Sequence, residues 1–115
     1  MLVPGGFYKS QLMQSAAVAT GNGTPIECID SSSGAFTVLA MQVTGITTAT
    51  ITFEATIDGT NWVAVQAANL NSGNDATTAT ADGIYTIMVA GLSKVRARVS
   101  AWTEGTVYVT GSLAA

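Results

Sequence analysis

Residues 51–65 read Ile51-Thr-Phe-Glu-Ala-Thr-Ile-Asp-Gly-Thr-Asn-Trp-Val-Ala-Val65, two alternating runs parted by Asp58-Gly59. Apolar Ile51, Phe53, Ala55 and Ile57 take every second position, and Thr50, Thr52, Glu54 and Thr56 fill the positions between. Successive side chains of a strand point to opposite faces, so this spacing predicts one packed face and one wet face. Asp-Gly is a favoured pair for reversing the chain between two such runs, and the stretch is predicted to be a β-hairpin.

The same pattern extends in both directions. Strands are predicted at about 13–19, 25–30, 36–44, 49–57, 61–67, 83–89, 94–100 and 105–112, eight in all. Between them lie turn residues: Gly21-Asn22-Gly23, Ser31-Ser32-Ser33-Gly34, Gly45, Asp58-Gly59, Gly91 and Thr103-Glu104-Gly105. Gln11–Ala19 carries enough Ala, Gln and Met to form a short helix instead. Residues 68–82 are small and polar and predict one long connection, part of which, 76–81, could add an edge strand. Ahead of the first strand, Pro4 and Gly5-Gly6 disfavour both helix and long strand, so residues 1–12 are expected to form an extended arm. Short strands, regular turns and one long crossing connection together predict a single all-β domain over residues 1–115. Its expected architecture is an antiparallel β-sandwich of about eight strands, of Greek-key or jelly-roll kind.

Composition narrows the functions open to such a domain. The 115 residues contain no histidine, only 4 basic and 7 acidic side chains, and a net charge of −3. The usual proton-transfer and metal-ligating residue is therefore missing, and its substitutes are scattered, so no enzyme, cofactor or metal site is expected. An acidic chain with pI near 4.4 lacks the positive field that phosphate backbones require, which argues against nucleic acid. No apolar run approaches the roughly 20 residues of a membrane-spanning helix, and no membrane partner is expected. Yet mean hydropathy is +0.40 and only 10% of residues are charged, against about 25% in an ordinary soluble domain. A surface so poor in charge is expected to be covered by other protein, which predicts homo-oligomers or a larger assembly. The 17 threonines fit that reading, because a β-branched hydroxyl suits the wet face of a strand and bonds a partner without desolvating a charge. Cys28 stands alone in an apolar run and reads as a buried, inert thiol. The N-terminus has no basic stretch followed by a long apolar one, so it does not read as a secretory signal, and synthesis in the cytoplasm is expected.

Two groups of residues are candidates for partner contact. Leu2, Val3, Phe7 and Tyr8 put apolar and aromatic side chains on the arm, which could dock on a neighbour. Lys94, Arg96 and Arg98 alternate with Val95, Ala97 and Val99, so three of the four basic residues line one strand face. That face either meets an acidic partner surface or pairs with Glu54 or Glu104 on neighbouring strands. Trp62 and Trp102 are expected to pack at the core or the sandwich end rather than stand exposed as stacking platforms. The Asx residues Asp58, Asn61, Asn69, Asn71, Asn74, Asp75 and Asp82 read as turn formers, since they lack the spacing of a calcium loop.

Three segments together carry a family resemblance: Phe53-Glu-Ala-Thr-Ile-Asp-Gly-Thr-Asn-Trp-Val-Ala-Val, Gly83-Ile-Tyr-Thr-Ile-Met-Val-Ala-Gly-Leu-Ser-Lys-Val-Arg-Ala-Arg-Val-Ser and Gly105-Thr-Val-Tyr-Val-Thr-Gly-Ser. Over residues 36–115 the chain resembles small β-sandwich virion proteins of tailed bacteriophages. The resemblance implies a non-catalytic structural subunit of the virion, made in the host cytoplasm, with itself and a major capsid protein or other virion protein as partners. Among virion roles it implies a capsid decoration or cement protein, with trimers suggested by the three-fold sites of capsid lattices. A tail, baseplate or head-fibre subunit is the alternative within that class. A carbohydrate-binding module, using Trp62, Tyr85 or Tyr108, is the alternative outside it.

Overall fold

The computed structural model describes residues 8–30 and 34–115. Every element in it is a strand. In chain order these are β1 (Tyr8–Ala17), β2 (Ile26–Glu27), β3 (Ile29–Asp30), β4 (Gly34–Ala35), β5 (Val38–Thr56), β6 (Val63–Ala64), β7 (Ala67–Asn69), β8 (Asp75–Ala76), β9 (Thr78–Ala79), β10 (Gly83–Met88) and β11 (Lys94–Ala114). All pairings are antiparallel. Nine strands share one hydrogen-bonded sheet in the order β1-β11-β5-β10-β7-β8, with β2 added to β11 and both β6 and β9 added to β5. The pair β3–β4 stands apart.

The sheet is a sandwich because its two longest strands fold over. β5 and β11 pair from Lys94↔Thr56 at one end to Ala114↔Val38 at the other. The first half of β5 carries β10, whose Tyr85 sits opposite Met41, while its second half carries β6 and β9. On a straight strand Phe53 would lie about 40 Å from Met41 at roughly 3.3 Å per residue. Instead the Phe53 ring meets the Tyr85 ring at 5.4 Å between centroids. β11 doubles back in the same way: Ile26 of β2, beside Val95, lies where a Cβ on Gly111 would be 3.4 Å from it. Both strands thus run through both layers, and a single core forms between the halves.

The corner is built from backbone that only glycine adopts without strain. Gly45 has φ +83° and Gly105 φ +118°, in the left-handed region that a Cβ disfavours. A side chain at Gly45 would overlap the Thr106 carbonyl oxygen, and one at Gly105 would come within 2.6 Å of the Gly45 oxygen. Register slips between Val99 and Tyr108 absorb the turn. Asp82 caps the corner, its Oδ1 accepting from Ile46 N–H at 2.9 Å and its Oδ2 from Gly45 N–H at 3.2 Å. Trp102 closes the other side by donating Nε1–H to the Gly105 oxygen at 3.0 Å.

Alternation then fills the interior: Leu39, Met41 and Val43 before the corner of β5, Ile51, Phe53 and Ala55 after it, and Val95, Ala97, Val107, Val109 and Leu113 from β11 are all buried. Gln14 is the polar group that ties the layers. It stands beside Val109 in one layer and donates Nε2–H to the Ala97 oxygen of the other at 2.8 Å, and to Gly21 O at 3.1 Å.

Several local expectations change. The predicted strands 36–44 and 49–57 are one strand, as are 94–100 and 105–112, because Gly45 and Gly105 bend the ladder rather than ending it. Gln11–Ala17 belongs to β1 and is not helical. The expected arm is already paired from Tyr8 onward, Tyr8↔Ala114 through Leu12↔Thr110; residues 1–7 lie outside the described residues, as does most of the predicted turn at Ser31–Ser33. Ile57, expected inside, is 75% exposed, since β5 ends at Thr56 and the Asp58 turn carries the chain away. The long connection 68–82 is shortened by β7, β8 and β9.

Candidate functional site

Three surfaces of the sandwich offer chemistry. The first is the outer face of the layer formed by β11 and the second half of β5. There Lys94, Arg96 and Arg98 stand directly opposite Thr56, Glu54 and Thr52. Glu54 bridges both arginines, with Oε1 2.8 Å from Arg96 Nε and Oε2 3.2 Å from Arg98 Nη2. Burial by itself would raise the Glu54 carboxyl, but the hydrogen bonds and charges of the two guanidinium groups outweigh it and hold the carboxyl below its ordinary value. The Arg96 guanidinium also lies 4.2 Å from the Trp62 ring centroid, a cation–π stack. Thr52 Oγ1–H donates to Ser100 Oγ at 2.7 Å, and Ser100 Oγ–H to Thr50 O at 3.3 Å, which extends the polar strip. Of the expected cations, then, Arg96 is held by a carboxylate and an indole, and Arg98 shares that carboxylate while keeping part of its head in water. Pairing with Glu54 was one of the two readings of this face; Glu104 instead faces Thr48 near the corner.

The second surface is apolar. A groove of about 460 Å³ is lined by Ile57, Val63, Val65 and Leu92, with Asp58 and Asn61 at its rim. A second groove of about 440 Å³ shares Val65 and Leu92 with it and continues along Val38 and Met88 to Asp75. The two form one trough. Three of its side chains are among the most exposed apolar groups in the protein: Ile57, Met88 at 72% and Val63 at 64%. Its rim is rigid. Asp58 accepts from Thr60 N–H and Asn61 N–H at 2.8 Å each and from Thr56 Oγ1–H at 3.1 Å, and its other oxygen accepts from Asn61 Nδ2–H at 2.7 Å. These bonds, led by those from Asn61, hold the Asp58 carboxyl far below its usual range, so it stays ionised.

The third is a crevice of about 300 Å³ at the corner, lined by Thr47, Thr48, Thr50, Thr80, Thr103 and the edge of Trp102. The aromatic residues named for sugar stacking are elsewhere. One face of Trp62 is covered by Arg96, Tyr85 is buried with its hydroxyl donated to Ala81 O at 2.8 Å, and Tyr108 is exposed on β11 opposite Thr44. No group of three or more His, Cys, Asp or Glu among the described residues is placed to hold a metal ion. The Cys28 thiol is buried, and burial pushes its pKa up to about 11. Of the arm candidates, Leu2, Val3 and Phe7 lie outside the described residues, and Tyr8 is described by its backbone pairing alone.

The trough and the Asp82 cap were not legible as sites in the sequence. The isolated apolar residues Ile57, Val63 and Met88 were the available signal, each on a segment that reads as an ordinary alternating strand.

A fold of this kind is shared with known proteins. A family profile described as XepA matches residues 8–113. The chain belongs to the XepA family. Its fold is found in two crystal structures. The SPBc2 prophage-derived protein YomS superimposes with a TM-score of 0.85 at 22% identity, covering 95% of this chain and 94% of that one. The PBSX exported protein XepA superimposes with a TM-score of 0.86 at 13% identity, covering 95% of this chain and 38% of that one. This XepA-family chain therefore spans well under half the length of the PBSX protein, whereas it matches YomS nearly end to end. No curated protein matches it in sequence.

Proposed function

We propose that this XepA-family protein is a non-enzymatic structural subunit of a phage particle, and specifically a capsid decoration protein that binds the assembled head. The observation that carries this reading is the largely apolar trough on a chain with so few charges: Met88 on β10 and Ile57 on the turn after β5 stand in solvent, where they gain nothing until another protein covers them. The likeness of the fold to a prophage-derived protein, YomS, supports the same reading. The subunit self-associates, as a trimer at three-fold positions of the lattice, and its second partner is the major capsid protein. Nothing chemical is required of it. A module that binds the closed shell and not its free subunits stabilises the shell by its own binding free energy.

The test is reconstitution. Heads from a phage lacking this gene are mixed with purified protein, then heated, and released DNA is measured; the proposal requires saturable binding and a higher release temperature. Absence of binding to heads, with binding to isolated tails or fibres, would move the subunit to the tail, baseplate or head fibre. A second reading comes from the PBSX relative, which is described as exported. A protein acting outside the particle would be found in particle-free culture medium at lysis and would leave DNA release unchanged.

A further inference from the structure

The crevice at the corner is a product of the way the two long strands bend. Where β5 and β11 turn, the ladder runs Trp102↔Ala49, Glu104↔Thr48 and Gly105↔Ile46, which leaves Thr103 on one strand and Thr47 on the other without partners. A residue bulged out of a ladder re-aims its side chain, and such bulges collect beside binding sites. Here both line the same hollow, where Thr48 and Thr50 of β5 join them together with Thr80, which follows β9.

Three properties of the crevice define its ligand. The first is a set of hydroxyls without protein partners. Among the described residues, the threonine hydroxyls bonded inside the protein are those of Thr37, Thr52 and Thr56, none of which lines the crevice. Each free hydroxyl can donate one hydrogen bond and accept others. The second is the lack of charge. No charged side chain lines the crevice, and the carboxylates that flank the corner, Glu104 opposite Thr48 and Asp82 on the Gly45 and Ile46 amides, disfavour an anion. The third is the Trp102 wall, half-buried against the core, with its ring fixed by the Nε1–H bond to Gly105 O at 3.0 Å. An indole whose polar atom is already bonded offers a ligand apolar surface alone. A ligand that is rich in hydroxyls, uncharged and apolar along one side is a sugar ring. The volume of about 300 Å³ falls at the small end of the roughly 300–1,000 Å³ of ligand pockets, so one or two rings would fill it.

We propose that the corner crevice binds a neutral sugar residue, with Trp102 as its apolar wall and the hydroxyls of Thr47, Thr48, Thr50, Thr80 and Thr103 as its hydrogen-bonding groups. The site lies apart from Trp62 and Tyr85, which are occupied by Arg96 and the Ala81 carbonyl. It does not depend on where in a particle the subunit sits.

The chain has two tryptophans, so the isotope-labelled protein gives two indole N–H signals in a nitrogen–proton correlation spectrum, and Trp102→Phe assigns them by removing one. The full chain is titrated with glucose, galactose, mannose, rhamnose, N-acetylglucosamine and N-acetylgalactosamine, each to about 50 mM, enough to fill a millimolar site. A saturable shift of the Trp102 signal is expected with at least one of them, while the Trp62 signal stays in place. Thr80→Val keeps the shape of a side chain outside the two long strands and removes its hydroxyl, and it should weaken binding of that sugar about tenfold. Glucuronate and galacturonate should bind more weakly than the neutral sugar. No shift with any sugar, a shift of Trp62 in place of Trp102, undiminished affinity in Thr80→Val, or tighter binding of the uronates overturns the proposal. None of these results bears on whether the subunit sits on a phage head, so the two proposals fail separately.

Discussion

Substituting Gly45 by Ala tests whether the corner makes the fold, with Gly59→Ala as its partner. The two glycines have nearly the same backbone, φ +83° and φ +81°, so each substitution forces Ala into the left-handed region at a cost of about 1–2 kcal/mol. They differ in surroundings. Nothing lies within 4 Å of a Cβ built on Gly59, whereas one on Gly45 would overlap the Thr106 carbonyl of the facing strand. Relieving that overlap must part β5 from β11 where they turn, an overpacking cost of about 1–3 kcal/mol. The same shift would disturb the Gly45 and Ile46 bonds to Asp82, worth roughly 0.5–1.5 kcal/mol each. The Gly59 variant should then lose about 1–2 kcal/mol and the Gly45 variant about 3–8 kcal/mol, a large part of the 5–15 kcal/mol typical of a domain. At about 4–6 °C per kcal/mol for this length, the midpoint of thermal unfolding followed by circular dichroism should fall by under about 12 °C for Gly59→Ala and by about 12 °C or more for Gly45→Ala. Should the latter fail to fold, Asp82→Ala provides the milder perturbation, with an expected loss of about 1–3 kcal/mol. Equal losses for Gly45→Ala and Gly59→Ala would refute the close approach of the two strands at the corner.

Other consequences follow from single groups. Glu54→Gln should cost more than the 0.2–1 kcal/mol of an exposed pair and less than the roughly 3–5 kcal/mol of a buried one, read by urea unfolding at pH 7. Because the folded Glu54 carboxyl titrates below its unfolded value of about 4.3, its contribution is complete above that pH and fades as pH falls through the folded value. The variant should therefore lose stability less steeply than the parent on acidification. Arg96→Ala should expose the covered face of Trp62 and shift tryptophan emission to the red; an unchanged spectrum would argue against the stack. Gln14→Met keeps the shape but removes the side-chain bond to the Ala97 carbonyl, while the Gly21 carbonyl keeps its bond from Val99 N–H, and should lower stability by about 1–3 kcal/mol in the same urea assay. Cys28 should resist a thiol-specific disulfide reagent at pH 8 in the folded protein and react fully in denaturant, since its thiol is buried with a pKa raised to about 11.

How far the sequence foretold this molecule varies element by element. The hairpin at residues 51–65 was legible because alternation is a local signal, but its connection spans residues 57–62 rather than Asp58-Gly59 alone, and the pairs Glu54↔Ala64 and Ala55↔Val63 are one residue off the register of a two-residue turn. The inward positions of β11 were legible for the same reason. The merging of four predicted strands into two was not, because Gly45 and Gly105 look the same in sequence whether they end a strand or bend one. What distinguishes the cases is the partner strand: Gly105 of β11 faces Ile46 of β5, next to Gly45, and the two glycines together let the strands bend at one place. Ile57 shows the limit of alternation, which continues in sequence beyond the point where the strand stops. The cationic strip was seen as a row of charges, and its pairing with Glu54 followed from register once β5 and β11 were neighbours. The trough depended on residues from β5, β6, β10 and the turn after it meeting in space, and no local pattern encodes that meeting.

The account as a whole stands on the claim that this chain works by being covered by other protein in a phage particle. Quantitative mass spectrometry of gradient-purified particles tests it most directly, by counting copies of this chain against the major capsid protein. The account predicts a fixed ratio of the order of one copy per capsid subunit, retained through repeated purification. Particles that are infectious and carry none of it would contradict the claim.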